Sequence, residues 1–382
     1  MGWIAGGKGM VGVRLLFCCL VVLLAAADQA SAVRINGDLK LDHLVGQAAH
    51  GELREPTYAR IAMWYTSWYQ GGPFGKAWLP VRTQAFLSPV LGPYDSKRPE
   101  IIKQQYDWMR ECGVDLIIFD DTNWVWVDDR KIDQIIQAWF SFMDALPLEQ
   151  RIPLTMGIGG GLNQHNSRES WLNEVAYIWE AYAARPSMAR VGPRPLLVWY
   201  IEKDVMPEWD DPRFAVLRAY HAYRTADQAA GNGWGWGSTP GPPENRYCMS
   251  FFPGWSLKGT DQIPRDRGEY YKQCWIKALQ AKPGWVCIAD WNNFDEETAI
   301  EDAWEWVDYR DESCPSWYRW LTRCYAGLRS GQLLEGSYYR DKAHPEVYLW
   351  QNKQLIHQGQ YPAGAPIIDT PPEWLLPLAA KQ

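Results

Sequence analysis

The sequence predicts an α/β fold: a (β/α)8 barrel of the TIM type with a small C-terminal β appendage. Three observations carry this expectation. Short apolar, β-rich runs recur along the chain, and most are followed by a stretch of helical periodicity. The runs are apolar without alternation, as strands buried on both faces are. The chain, 382 residues long, also accommodates a barrel of about 250 residues with insertions.

Six runs stand out: 60–65 (RIAMWY), 114–119 (VDLIIF), 152–158 (IPLTMGI), 195–201 (PLLVWYI), 247–252 (YCMSFF) and 285–289 (WVCIA). Two further candidates are 214–220 (FAVLRAY), which reads equally as helix, and 233–237 (GWGWG). Helical stretches lie between them at 99–112, 131–146, 169–184 and 269–281; the first has Ser96 as a cap and Pro99 in its first turn. A doubly wound open sheet is the competing architecture, but no Gly-rich nucleotide turn supports it. The run 157–161 (GIGGG) lacks the spacing, and 71–76 (GGPFGK) is too short for a P-loop. Beyond 335 the character changes. Runs 347–350 and 354–357 flank Asn352-Lys353 as in a β-hairpin, and five prolines between 362 and 377 predict an irregular tail. The expected organisation is therefore a barrel over 33–335 and a β-hairpin appendage with tail over 336–382.

Residues 1–32 read as a secretory signal peptide. Lys8 and Arg14 precede an apolar run over 15–27, and Ala30-Ser31-Ala32 forms a small-x-small cleavage site. An apolar run of that length falls short of the ~20 residues that a membrane span needs. No later segment is long enough, so no membrane span is expected after cleavage. The destination expected is the periplasm or the cell exterior. The six later cysteines contain no CxxC pair, and the six histidines are scattered without an HExxH motif; no metal site and no cofactor are expected. Asp290, Asn292 and Asp295 have the spacing of a calcium loop but lack its Gly. A net charge of −7 argues against a phosphate-tracking nucleic-acid partner.

Twenty-four Trp and twenty Tyr against ten Phe are unusual for core filling alone. Indole and phenol rings combine a flat apolar face with a polar handle. In a barrel the site forms at the C-terminal strand ends. Those ends carry Trp64, Tyr65 and Trp68; Asp120, Asp121 and Trp124; Tyr200 and Glu202; Trp255; and Asp290, Trp291, Asn293 and Glu296. Carboxylates beside large aromatics form the inventory of a sugar-bond-cleaving site. Two carboxyl groups do the proton and water or nucleophile work, and rings cover the apolar faces of pyranoses. Each feature also has a structural reading: Asp120 and Asp121 can simply end a strand, and Glu202 can pair with Lys203 or Arg194. Within the acidic run 295–302, Thr298-x-x-Glu301 fits a capping box, which assigns Glu301 and Asp302 to a first helical turn. That leaves Glu296, ahead of the cap, without a structural role.

The order MWYTSWY, LGPYDSKRPEIIKQQYDWMRECGVDLIIFDDTNW, RPLLVWYIEKD and QCWIKALQAKPGWVCIADWNNFDEETAIEDA resembles glycoside hydrolase families 99 and 71 over residues 58–325. These are secreted (β/α)8 hydrolases of α-mannosides and α-glucans. The most specific stretch runs from Asn292 to Glu301 (NNFDEETAIE), against a family form that reads N-E-W-H-E-G-T-x-I-E. The resemblance implies that Glu296 is the general acid/base. It also puts Asn293 where the family has its second catalytic Glu, so a second carboxylate must come from Asp120, Asp121, Glu202 or Asp290, or hydrolysis is lost.

The leading expectation is a secreted glycoside hydrolase acting on an oligo- or polysaccharide. Glu296 would be the acid/base and Asp120 or Glu202 its partner. Asp121, Asp290 and Asn293 would support them, and Trp64, Tyr65, Trp68, Trp124, Tyr200, Trp255 and Trp291 would form the subsite walls. The alternative is a catalytically inactive barrel that binds glycans. A lyase or transferase on the same scaffold is a third reading, disfavoured for uronate elimination by the net acidity.

Overall fold

The computed structural model describes residues 44–47, 53–54, 60–69, 87–121, 127–159, 168–201, 211–220, 234–235, 248–257, 260–305, 315–362, 365–372 and 374–380. The expected signal peptide, Trp124 and Glu202 lie outside the described residues. Eight parallel strands follow one another: β1 (Ile61–Thr66), β2 (Val114–Asp121), β3 (Leu154–Gly159), β4 (Arg194–Ile201), β5 (Ala215–Tyr220), β6 (Trp234–Gly235), β7 (Cys248–Phe251) and β8 (Trp285–Ile288). Each pairs with the next from β1 to β6, β7 pairs with β8, and β8 returns to β1. The strand β6 lies beside β7 and completes the ring. The chain is a (β/α)8 barrel, and the two ambiguous runs are its fifth and sixth strands.

Strand pleat sorts the apolar side chains into two shells. Ala62, Trp64, Leu116, Ile118, Val198, Tyr200, Leu217, Cys248 and Cys287 fill the barrel interior. Ile61, Met63, Tyr65, Ile117, Phe119, Met156, Trp199 and Phe251 point outward into the shell beneath the helices. The interior has one close approach that fixes a residue type. A Cβ on Gly157 would run into Cζ3 and Cη2 of the Trp64 indole, so this inner-shell indole fits only because β3 presents a glycine beneath it.

Helix α1 (Pro99–Glu111) buries Ile102, Gln105, Tyr106 and Met109, a one-sided stripe. Its N-cap is Arg98 rather than Ser96, with no side-chain cap, and Pro99 starts the first turn. Helices α2 (Val127–Asp144), α3 (Arg168–Tyr182) and α4 (Glu269–Ala281) fall where the periodicity puts them. One expectation fails. No helix begins at Thr298; a turn spans 294–297 with irregular chain from 298 to 302, and the last barrel helix, α5, is Trp317–Arg329. It packs on α4 through a stacked pair, Trp275 on Tyr325, with centroids 5.6 Å apart.

The C-terminal segment forms a four-stranded sheet: β9 (Tyr338–Asp341), β10 (Val347–Gln351), β11 (Gln354–Gln358) and β12 (Ile367–Thr370), in the order β11-β10-β9-β12. The expected hairpin is β10–β11. Its Asn352 and Lys353 both adopt positive φ, 52° and 61°, as a type I′ turn requires. The tail is more regular than its prolines predict, because Pro366 and Pro371 bracket β12 and leave its four residues free to pair with β9. Tyr339, Trp350 and Ile368 turn inward and join the outer core of the barrel.

Gly157→Ala is expected to destabilise the fold by about 1–3 kcal/mol through overpacking against Trp64. In urea unfolding, Trp64→Leu in the same chain should recover part of that loss; strictly additive effects of the two substitutions would contradict the contact.

Candidate functional site

The rim is built from the ends of β1, β2 and β8 and from the turn that follows β8. On β2 the pleat turns Asp120 toward the barrel axis and Asp121 away from it, since Ile118 faces in and Phe119 faces out. Asp120 is paired in register with Thr66 on β1 and Gly157 on β3. After β8 the chain places Asp290 beside them: Thr66 Oγ1 lies 3.4 Å and Thr298 Oγ1 3.5 Å from Asp290 Oδ2. Asp290 is fully buried, and Oδ1 has no hydrogen-bond partner among the described residues.

Asn293 and Glu296 complete the group. The Asn293 amide donates from Nδ2 to Glu296 Oε2 at 3.3 Å, and its Oδ1 accepts the Glu296 backbone N–H at 3.1 Å. The one amide thus holds Glu296 twice, through Nδ2 and through Oδ1. Burial pushes the Asp290 carboxyl well above the ordinary carboxylate range, and the charges of Asp120 and Glu296 push it further. Donors from Asn293 and Thr66 act in the opposite direction. Three acids thus act on one another at the rim, and burial together with the other two charges favours the protonated form of Asp290.

The turn that carries them is fixed from behind. Trp291 N–H donates to the Trp64 carbonyl at 2.7 Å, and Thr298 N–H to the Asn293 carbonyl at 3.1 Å. Asn292 ties the turn to β1, accepting Thr66 N–H at 2.8 Å and donating to the Thr66 carbonyl at 3.1 Å. Its Nδ2 also reaches the Tyr94 hydroxyl at 3.3 Å, and that hydroxyl donates to Glu301 Oε2 at 2.7 Å. Gln105 donates to the same oxygen at 2.8 Å and accepts from the Tyr65 hydroxyl at 2.9 Å. Arg265 clamps the far side by donating to the carbonyls of Glu297 and Ala299, at 2.7 and 3.0 Å.

Glu301 is therefore no capping residue. Burial raises its carboxyl to about 8, with the Tyr94 and Gln105 donors opposing. Asp302, also assigned to a cap by sequence, instead pairs with Arg319 at 2.7 Å. Thr298 spends its hydroxyl on Asp290. The residues that sequence reasoning missed are those holding the acids: Thr66, Asn292 and Thr298 beside them, and Tyr94, Gln105 and Glu301 behind. The only signal for these was the position of Thr66 at a strand end and of Asn292 and Thr298 inside the acidic turn.

Of the expected site residues, the structure brings together Asp120, Asp290, Asn293 and Glu296. Tyr200 faces the interior, edge-on to Trp64 at 6.3 Å. Trp255 is half-buried in a hairpin after β7, whose Ser256 N–H holds the Glu296 carbonyl at 2.9 Å. Trp64 is fully buried as a barrel filler, so it is no exposed wall. Tyr65 and Trp291 are fully buried in the outer shell, and Trp68 is half-buried against it. Asp121 is turned out under the helices, where it meets Glu174 of α3 and Asp133 of α2. Burial, then Glu174, raises its carboxyl well above the ordinary range. Asp133 in turn accepts from the hydroxyls of Tyr177, at 2.7 Å, and Tyr182.

Neither a family model nor a curated protein matches the chain. Among solved structures, the glycoside hydrolase family 99 endo-α-mannosidase from Bacteroides thetaiotaomicron superposes with a TM-score of 0.55 at 16% identity, over 71% of this chain and 97% of that one. A second structure of the endo-α-mannosidase, in complex with bis-tris-propane, gives 0.54 at 17% identity with the same coverage. At these identities the likeness is one of fold.

Asp121 and Glu301 give a pH signature. Both carboxyls hold their proton more tightly folded than unfolded, so their contribution to stability is complete in acid, below the unfolded carboxylate pKa. It is lost as pH rises through the raised folded values, which for Glu301 means from about 4.5 to about 8. Glu301→Gln, which keeps an acceptor for Tyr94 and Gln105, and Asp121→Asn should each flatten the fall of Tm between pH 5 and pH 9. Unchanged slopes in both variants would contradict the assignment.

Proposed function

We propose that the chain is a secreted glycoside hydrolase that cleaves an oligo- or polysaccharide by paired-carboxylate chemistry at this rim. The observation that carries the reading is the convergence of Asp120, Asp290 and Glu296, the last held by the Asn293 amide, at the C-terminal end of the strands, where barrel enzymes hold their chemistry. Glu296, less buried than the other two, is the general acid/base that protonates the departing glycosidic oxygen. Asp120, inward-facing on β2, is the second carboxylate and acts on water or on the anomeric carbon. Asp290 is the buried acid behind them, its Oδ2 held by Thr66 and Thr298, and it acts on the other two through its proton and charge rather than by touching the sugar. The fold shared with a glycoside hydrolase supports the substrate class without fixing sugar or linkage.

A second reading, a barrel that binds glycans without cleaving them, is favoured by one specific observation. Asn293 stands where the resembled families carry an acid, and an amide takes no proton at neutral pH.

A polysaccharide panel read by reducing-end release and product mass separates the two. Hydrolysis predicts products heavier by water, with Glu296→Gln and Asp120→Asn each losing at least about 100-fold in rate. Near wild-type turnover in Glu296→Gln would remove it from the mechanism; retention on a glycan gel without product would favour the silent barrel.

A further inference from the structure

The C-terminal sheet forms a cleft against α4 whose lining shares no residue with the rim acids. Glu269, Lys272, Gln273 and Ile276 line one side, spaced so that they share one face of α4. Arg340, Lys342, His344, Pro345 and Asp369 face them from the sheet and its β9–β10 loop. The volume is 520 Å³, within the range of about 300–1,000 Å³ usual for small-molecule sites. The loop is shaped by Asp341, whose Oδ1 accepts the Ala343 N–H at 2.9 Å, while Lys342 N–H donates to the Thr370 carbonyl at 3.1 Å.

Charge decides what such a cleft can hold. Its walls carry three fixed cations and two carboxylates in a chain of net charge −7. Lys272 is paired with Glu269 at 2.5 Å and Arg340 with Asp369 at 2.7 Å. The exposed ammonium of Lys342 has no partner among the described residues. One cation is thus left over, beside ion pairs and an amide that present donors and acceptors in fixed directions. A flat apolar element adjoins them. Tyr338 lies on the same strand face as Arg340 and packs at 6.4 Å against Tyr361, which is 43% exposed.

We propose that this cleft is a second saccharide site, separate from the rim, for a sugar unit bearing a carboxylate, that is, a uronate. Lys342 takes the carboxylate, Gln273 and the Arg340–Asp369 pair take hydroxyls, and the Tyr361 ring covers an apolar sugar face. The proposal rests on the glycan-processing reading of the barrel and adds to it the class of sugar held outside the reacting centre.

The test is affinity electrophoresis of the full chain in gels containing polygalacturonate or, as the neutral control, a mannan. The expected result is retardation by polygalacturonate despite the net negative charge, at least tenfold weaker in Lys342→Glu and several-fold weaker in Tyr361→Ala. Glu296→Gln should be retarded like the wild type, so the outcome is independent of whether the rim hydrolyses anything. Absence of retardation, or retardation that Lys342→Glu leaves unchanged, would overturn the proposal. Loss of retardation in Glu296→Gln would move the binding to the rim, and retardation that inorganic sulfate abolishes at matched ionic strength while Tyr361→Ala has no effect would reduce it to a bare anion site.

Discussion

The two-residue period of a parallel strand is the constraint on which the rest depends. Closed into a ring, the eight strands allow each rim position one of two fates: inward to the axis or outward beneath a helix. Asp120 and Asp121 are adjacent in sequence and chemically equivalent, yet the pleat sends one to the rim acids and the other into a buried contact with Glu174. The same rule separates Trp64, a filler of the interior over Gly157, from Tyr65, whose hydroxyl serves Gln105 in the outer shell.

The rim acids hold their positions because the turn after β8 is tied to β1 by an amide on both sides of one residue. Asn292 grips Thr66 through backbone N–H and carbonyl, and Thr66 is also a donor to Asp290. The hydrogen directions follow without choice. Asn292 gives its second proton to Tyr94, so Tyr94 must give its own to Glu301, whose oxygen also takes Gln105. A buried carboxyl two layers back thereby orients the residues that hold the front one. Asn293 replaces repulsion by attraction: a carboxylate there would stand as a fourth acid in the group, whereas the amide donates to Glu296.

The strands were legible because a buried parallel strand leaves a short apolar run with sharp ends, and even the two doubtful runs contributed paired strands, Ala215–Tyr220 and Trp234–Gly235. The last barrel helix was not legible for a physical reason. Thr298 and Glu301 carry the side chains of a capping box but spend them on Asp290 and Tyr94, while α5 starts at Ser316 with no side-chain cap to announce it. At the site, the acids at strand ends could be read from sequence. The aromatic walls could not, because nearness to a strand end says nothing of whether a ring faces solvent, and Trp64, Tyr65 and Trp291 are wholly buried.

The claim at the centre is that Asp120, Asp290 and Glu296 form one electrostatic unit. Carboxyl carbon NMR titration of Asp290, in the wild type and in Asp120→Asn, tests this most directly. The expected result is a titration well above the ordinary carboxylate range that moves down when Asp120 loses its charge. An Asp290 that titrates near pH 4 and does not respond to Asp120→Asn would contradict the account.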